Sequence, residues 1–219
     1  MEKENDLVVR CSSLHKIMGT GKGSSKLTET AKSYILEQAK ESFYGIPKTI
    51  SGKFLDKGIM NEDLAIEMIN QVRFRSYQKN TERKTKGWLT GECDINGTDH
   101  IIDVKCSWSF DSFPVLESEA EKIPKKSGYD WQVRGYMYLY DINEAEVVWA
   151  MTSTPDKLLT KYDDLKIHKV DHIDAEYRLT GAKVSRCMDL EQKMIDKYNE
   201  ANEFYHKCLT EIKNKNQWK

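Results

Sequence analysis

The stretch GECDINGTDHIIDVKCSW, residues 91 to 108, constrains the fold more than any other part of the chain. Asn96-Gly97 is a strong turn signal, since both residues accept the positive φ of a tight hairpin loop. Strand-like residues flank it, GWLTGECDI before and HIIDVKCSW after, so the segment reads as a β-hairpin. Side chains alternate faces along a strand. Glu92 and Asp94 therefore share a face of the first strand, while Asp103 and Lys105 share a face of the second with Ile101. Ile102, Val104 and Cys106 point the other way and read as core. An acid and a lysine in the middle of such a strand need a reason, because a buried charge is costly unless paired or bound to a metal.

A second acid stands in an apolar pattern just upstream. Residues 53 to about 72 read as a helix, with Leu55, Ile59, Ile66 and Ile69 spaced to share one face. Glu62 completes the spacing between Ile59 and Ile66, whereas Asp63 and Glu67 fall off the stripe as ordinary surface acids. Either Glu62 sits at the stripe's edge and reaches water, or it is held in place by a partner.

The remaining chain supplies the frame. LVVRCSSLHKIMG reads as a short apolar run and a short helix, capped by a serine and ending near Gly19. GTGKGSS, residues 19 to 25, reads as a flexible loop and lacks the spacing of a phosphate-binding GxxxxGK[ST] motif. TETAKSYILEQAKESFYG is a helix stopped at Gly45 with Pro47 beyond. YDWQVRGYMYLYD, 129 to 141, is a helix whose stripe is Tyr129, Val133, Tyr136 and Tyr140, with Gln132 alongside. EAEVVWAMT is a strand, DLKIHKV is read as another, and the chain from about Asp174 onward is read as mostly helical and charged. The order of helices, hairpin, helix, strands and long helix predicts an α/β fold, a mixed sheet covered by helices. With 219 residues and four prolines, the chain is expected to be a single domain over 1–219, with 174–219 as a helical C-terminal segment.

Composition limits the function classes. Net charge is −1, so any polyanion site must be a local patch. Candidates are RFRSYQKNTERKTK, residues 73 to 86, and KIPKK, residues 122 to 126; each also reads as a solvated loop. Five cysteines without a CxxC pair predict reduced thiols in a cytoplasm-like compartment and no zinc knuckle. The N-terminal MEKENDLVVR has no apolar signal region, and no segment approaches a membrane span.

Asp94, then Asp103 and Lys105, is a constellation with a chemical use. Carboxylates on adjacent strands can share a hard divalent cation, with the Val104 carbonyl as a further oxygen. A lysine on the same face can act on an attacking water and offset phosphate charge, which together with a metal is what phosphodiester hydrolysis needs. Glu62 from the preceding helix would then be a further ligand. The competing reading is a solvated polar face with a cross-strand salt bridge.

The pattern resembles the PD-(D/E)XK nuclease superfamily and, within it, the YqaJ-like viral recombinase family that includes phage lambda exonuclease. RCSSLHKIMG, GIMNEDLAIEMI, GECDI with IIDVK, and YDWQVRGYMYLY carry the resemblance over residues 9 to 150. Cys93 replaces the family's proline and Asp103 stands where glutamate is common; the tail is only loosely similar. The resemblance implies a restriction-endonuclease-like fold and a Mg²⁺-dependent exonuclease, with Mn²⁺ as substitute. It would digest one strand of linear duplex DNA from a 5′ end in phage-type recombination inside a bacterial cytoplasm. Asp94, Asp103, Glu62 and the Val104 carbonyl would hold the metal. Lys105 would activate water and stabilise charge, and Gln132, with Tyr136 more weakly, would support them. Ser13, Arg73, Arg75, Arg83, Lys84 and Lys86 would contact DNA. A ring-like trimer and a single-strand annealing partner are further implications, and no iron–sulfur cluster is expected. Two alternatives stay open: a structure-specific or restriction-type endonuclease, and a non-catalytic binding module on the same fold.

Overall fold

The structure, a computed structural model, describes residues 5–22 and 26–215, so the tip of the loop expected over 19–25 lies outside the described residues. After strand β1 (Val9–Arg10) come a short 3-10 helix (Cys11–Lys16) and helices α1 (Glu29–Tyr44) and α2 (Lys53–Arg73). Strands β2 (Lys84–Lys86), β3 (Leu89–Gly91), β4 (Ile95–Asn96) and β5 (His100–Cys106) follow, then helices α3 (Glu117–Ala120), α4 (Ile123–Ser127) and α5 (Tyr129–Tyr140). Strand β6 (Glu144–Ala150), helix α6 (Leu165–His168), strand β7 (Leu179–Ser185) and helix α7 (Met188–Asn214) complete the chain.

The strands form two mixed sheets, a small one in the order β1-β3-β2 and a larger one in the order β4-β5-β6-β7. In the larger sheet β5 and β6 run parallel, Asp103 opposite Val147 and Lys105 opposite Trp149. Parallel neighbours need a crossover, and α5 supplies it. The crossover covers one face of β5, and α2 covers the other. Ile101, Ala145 and Val147 pack with Val133, Tyr136 and Met137 in the main core, which α1 and α7 extend. Ile102, Val104, Val148 and Ala150 pack with Ala65, Ile66, Met68 and Ile69 of α2 in a second core. Residues 101 to 104 of β5 are therefore buried whichever way they point, while both ends of the strand are partly open.

α1 begins and ends where the sequence predicts: Thr28 Oγ1 accepts the Ala31 amide at 3.1 Å, and Gly45 takes the left-handed φ of 64° that ends the helix. Other expectations need correction. The first arm of the hairpin is broken: β3 lies in the small sheet and β4 in the large one, so Glu92 to Asp94 step between sheets. The turn spans Gly97 to His100, closed by the Gly97 amide on the His100 carbonyl at 2.9 Å. No serine caps the 3-10 helix, whose cap is Arg10. KIPKK is a short helix rather than a loop.

DLKIHKV is not a strand: Asp164 Oδ1 accepts the Lys166 amide at 3.0 Å and starts a single helical turn. The missed strand is β7, LTGAKVS, whose Thr180, Ala182 and Val184 alternate inward. Its small residues and glycine give a weak apolar signal, and a Cβ at Gly181 would meet Glu146 Oε1 at 2.0 Å, so the Glu146 side chain would have to shift from its pairing with Arg73. The α2 stripe also divides. Ile66 and Ile69 are buried, but Leu55 and Ile59 are 44% and 64% exposed, and the inward face of the first half is Lys57 and Asn61.

Candidate active site

β5 delivers Asp103 and Lys105 to one wall of an open cleft of about 620 Å³. Asp103 is 1% exposed and Lys105 Nζ lies 2.7 Å from its Oδ2. Its Oδ1 accepts Gln132 Nε2 at 3.0 Å, and the same nitrogen donates to the Tyr136 hydroxyl at 3.0 Å. Tyr136 is held protonated by burial, with the Asp103 charge acting the same way. The step between sheets brings Asp94 alongside, where its Oδ2 accepts the Val104 amide at 2.6 Å. Burial first, and then the Asp103 charge, raise the Asp94 carboxyl well above the usual carboxylate range, against the opposing pull of Lys105. Burial alone would depress the Lys105 ammonium, but Asp103 and Asp94 more than offset it and raise its pKa. Lys105 is therefore a proton-holding cation here. Its ammonium also stands 4.7 Å from the Tyr129 ring centroid.

Glu62 lines the same cleft from α2, with Leu55 and Ile59 on its own face of the helix. The stripe is thus real as a face, but its first half looks into the cleft rather than into the core. Glu62 is 3.2 Å from Lys79, which also meets Asp63 at 3.1 Å. Among the described residues, no three His, Cys, Asp or Glu side chains converge into a ready cage for a metal. The two aspartates still suit a hard cation. Asp103 Oδ2 is buried and faces the Lys105 ammonium at 2.7 Å. Asp94 resists ionising beside it until positive charge arrives. Magnesium is satisfied by one or two carboxylates and several waters. Val104 contributes its amide to Asp94 and lines the cleft.

The residues expected to contact DNA are scattered. Arg73 makes a two-pronged pair with Glu146 at 2.7 Å per arm, inside the fold rather than toward a ligand. Arg75 is exposed, and Arg83 is exposed and paired with Glu92 at 3.2 Å. Lys84 and Lys86 lie over the rings of Tyr140 and Tyr138, at 4.5 and 4.3 Å. Ser13 does not line the acidic cleft; it borders a separate recess of about 60 Å³ with Arg10, Lys16, Tyr34 and Lys48.

Two features escape sequence reasoning. Lys57, 1% exposed, donates from Nζ to the carbonyls of Ser107 (2.6 Å), Trp108 (3.1 Å) and Thr152 (2.7 Å), and to Thr154 Oγ1 (3.0 Å). One turn on, Asn61 Nδ2 holds Thr152 Oγ1 at 2.9 Å and the Ser153 carbonyl at 2.8 Å. Together they tie α2 to the chain leaving β5 and β6. The signal was present, as Lys57 and Asn61 stand four apart with Ala65 next in line, but polar residues at helical spacing read as surface. The second feature is Trp108, whose side chain forms part of the cleft wall.

No family model matches the chain, and no curated protein matches it. Solved structures do. A phage-related exonuclease from Haemophilus somnus 129PT shares 36% identity over 94% of this chain and 97% of its own, with a TM-score of 0.88. An alkaline exonuclease from Laribacter hongkongensis superposes with a TM-score of 0.62 at 12% identity, covering 95% of this chain and 92% of its own. A second structure of that exonuclease, in complex with dAMP, gives a TM-score of 0.58 at 15% identity over 96% and 92%.

Proposed function

Because this chain belongs to the phage-related exonucleases, the lambda-exonuclease-like family, we propose that it is a Mg²⁺-dependent deoxyribonuclease. In this reading it degrades one strand of linear duplex DNA from its end, in the 5′ to 3′ direction, as a step in phage-type recombination. The observation that carries the proposal is the buried Asp103, bonded to Gln132 and paired with Lys105 at 2.7 Å, beside Asp94 on the wall of an open cleft.

In this account Asp94 and Asp103 would hold the cation, with Glu62 of α2, which pairs with Lys79 at 3.2 Å, as a further ligand. A bound divalent cation supplies positive charge to phosphate oxygens and makes a bound water more acidic. Lys105, kept protonated by the two aspartates, faces the non-bridging oxygens of the scissile phosphate and stabilises the charge that builds there. Gln132 fixes the rotamer of Asp103 through Oδ1, while Oδ2, shared with Lys105, would be the oxygen offered to the cation. Tyr136 and the dry face of β5 keep that arrangement rigid. The exposed lysines and arginines of 75–86 follow the DNA backbone, so affinity falls steeply with salt. A ring-like trimer and an annealing partner belong to the same reading and rest on family resemblance alone.

The test uses linear duplex DNA labelled at the 5′ end of one strand, with a covalently closed circle alongside, in Mg²⁺ or EDTA. Nucleotides released from the linear DNA alone, only with metal, and abolished in Lys105→Ala, support the proposal. Cutting of the circle would make the protein an endonuclease. Cleavage of neither, with Mn²⁺ also tried, would reject the catalytic reading.

A further inference from the structure

One wall of the cleft is aromatic. Trp108 follows β5 by two residues and lines the cleft with Phe54, Leu55 and Ile59. Phe54 and Ile59 are 63% and 64% exposed, although an apolar wall of this kind would ordinarily be covered by the fold. The indole has two aromatic neighbours and a cation over its ring. Phe54 meets it at 5.0 Å and 67°, and His168 at 5.3 Å and 73°, both edge to face. The Lys53 ammonium stands 4.6 Å from the ring centroid.

The backbone beneath is fixed more firmly than any side-chain contact would require. The Trp108 carbonyl accepts from Lys57 Nζ at 3.1 Å and from Thr154 Oγ1 at 2.8 Å, and the preceding Ser107 carbonyl from Lys57 at 2.6 Å. A buried lysine thus immobilises the two residues that present the indole. A rigid aromatic surface loses little entropy when a flat ligand lies against it.

The occupant follows from continuity and charge. The aromatic wall and the Asp103–Lys105 pair bound the same cleft, so what lies on the wall belongs to the molecule whose phosphate lies at the pair. A nucleotide offers a π-face for the indole and a phosphate for the Lys53 ammonium. We propose, resting on the nuclease reading above, that Trp108 and Lys53 form a stacking subsite. It takes one unpaired base of the DNA end beside the scissile phosphate. It acts on any base, because every base has a π-face, so the subsite selects a frayed end rather than a sequence.

The experiment measures binding of fluorescent duplexes by anisotropy in EDTA, where no cleavage occurs. The duplexes carry a tetrahydrofuran abasic residue at one of the first three positions of either strand, or none. Trp108→Ala is expected to weaken binding of the intact duplex about tenfold. Trp108→Leu, which keeps bulk without a π-face, should lose about as much, and Trp108→Phe should keep most of the affinity. An abasic residue at the stacked position should weaken wild type by a similar factor and cost Trp108→Ala nothing further. Should Trp108→Ala fail to fold, the Leu and Phe pair reads the same difference. Wild-type affinity in Trp108→Leu, or losses that simply multiply at every abasic position, would overturn the subsite and leave the nuclease standing. A wild-type protein that binds no DNA would bring down both.

Discussion

Lys105 and Lys57 occupy neighbouring elements and have opposite uses. Lys105 faces two carboxylates on a cleft wall and keeps 22% of its side chain exposed. Lys57 lies 1% exposed among three carbonyls and a hydroxyl, and none of its hydrogen bonds goes to a carboxylate. Burial lowers the Lys57 pKa to about 8, while the charges of Asp103 and Asp94 turn that of Lys105 upward. One lysine has a single strong partner and room for a ligand. The other has its donors spent on three carbonyls and a hydroxyl inside the fold. The difference teaches how a structural cation can be told from a reactive one: by whether its partner is a carboxylate on a cleft wall or a set of acceptors inside the fold.

The sharpest way to break the comparison is to exchange the consequences of the two substitutions. Lys105→Ala should lower kcat on linear DNA by about a hundred- to a thousandfold, far more than the Tm loss from leaving the Asp103 charge unpaired can explain. A variant that unfolds instead would make Lys105 structural. Lys57→Met should do the reverse in kind. It strands several buried acceptors and should cost about 3 kcal/mol or more, a fall of roughly 6–12 °C in Tm for a chain of this size. Loss of activity at unchanged Tm would move Lys57 into the chemistry.

The charge pair makes a smaller, pH-dependent prediction. The folded state raises the Asp94 pKa from an unfolded value near 3.9 to about 7. A raised acid favours the protonated folded form, so its stabilising contribution is complete below the unfolded pKa and is lost as pH rises toward the folded value. Without metal, Tm should therefore drift downward between about pH 4 and about pH 7, and Asp94→Asn should flatten that drift. Mg²⁺ should oppose it, raising Tm more at pH 8 than at pH 5. A metal-free protein whose stability rises across the same window would contradict the assignment. The smallest effect belongs to Lys79. Its pairs with Glu62 and Asp63 are solvent-accessible, so Lys79→Ala should change stability by less than about 1 kcal/mol and modestly lower the Mg²⁺ needed for half-maximal activity.

Strand β5 was legible because its pattern is local. Alternation in IIDVKC assigns Ile102 and Val104 to one core and leaves Asp103 and Lys105 on the other face, which is what the structure shows. Gln132 was picked out by the resemblance of its helix to the family's, and the structure buries it on the inward side of α5. What escaped depends on distant partners. Lys57 and Asn61 look like surface until the loops after β5 and β6 fold over them. β7 looks like the start of a helix because Gly181 and its small neighbours make room for the Arg73–Glu146 pair. Arg73 reads as a DNA contact until that pair is seen. The exposed half of the α2 stripe reads as core because spacing reports a shared face and not what covers it.

The central claim is that Asp103 and Asp94 are held ready for a cation. Mn²⁺ binding followed by electron paramagnetic resonance, in wild type, Asp94→Asn and Asp103→Asn at pH 8, addresses it without reference to activity. Saturable binding to wild type that disappears in both folded variants is the predicted result. Equal binding in all three proteins, or none in wild type, would make the Asp94–Asp103–Lys105 cluster a structural ion network and contradict the account.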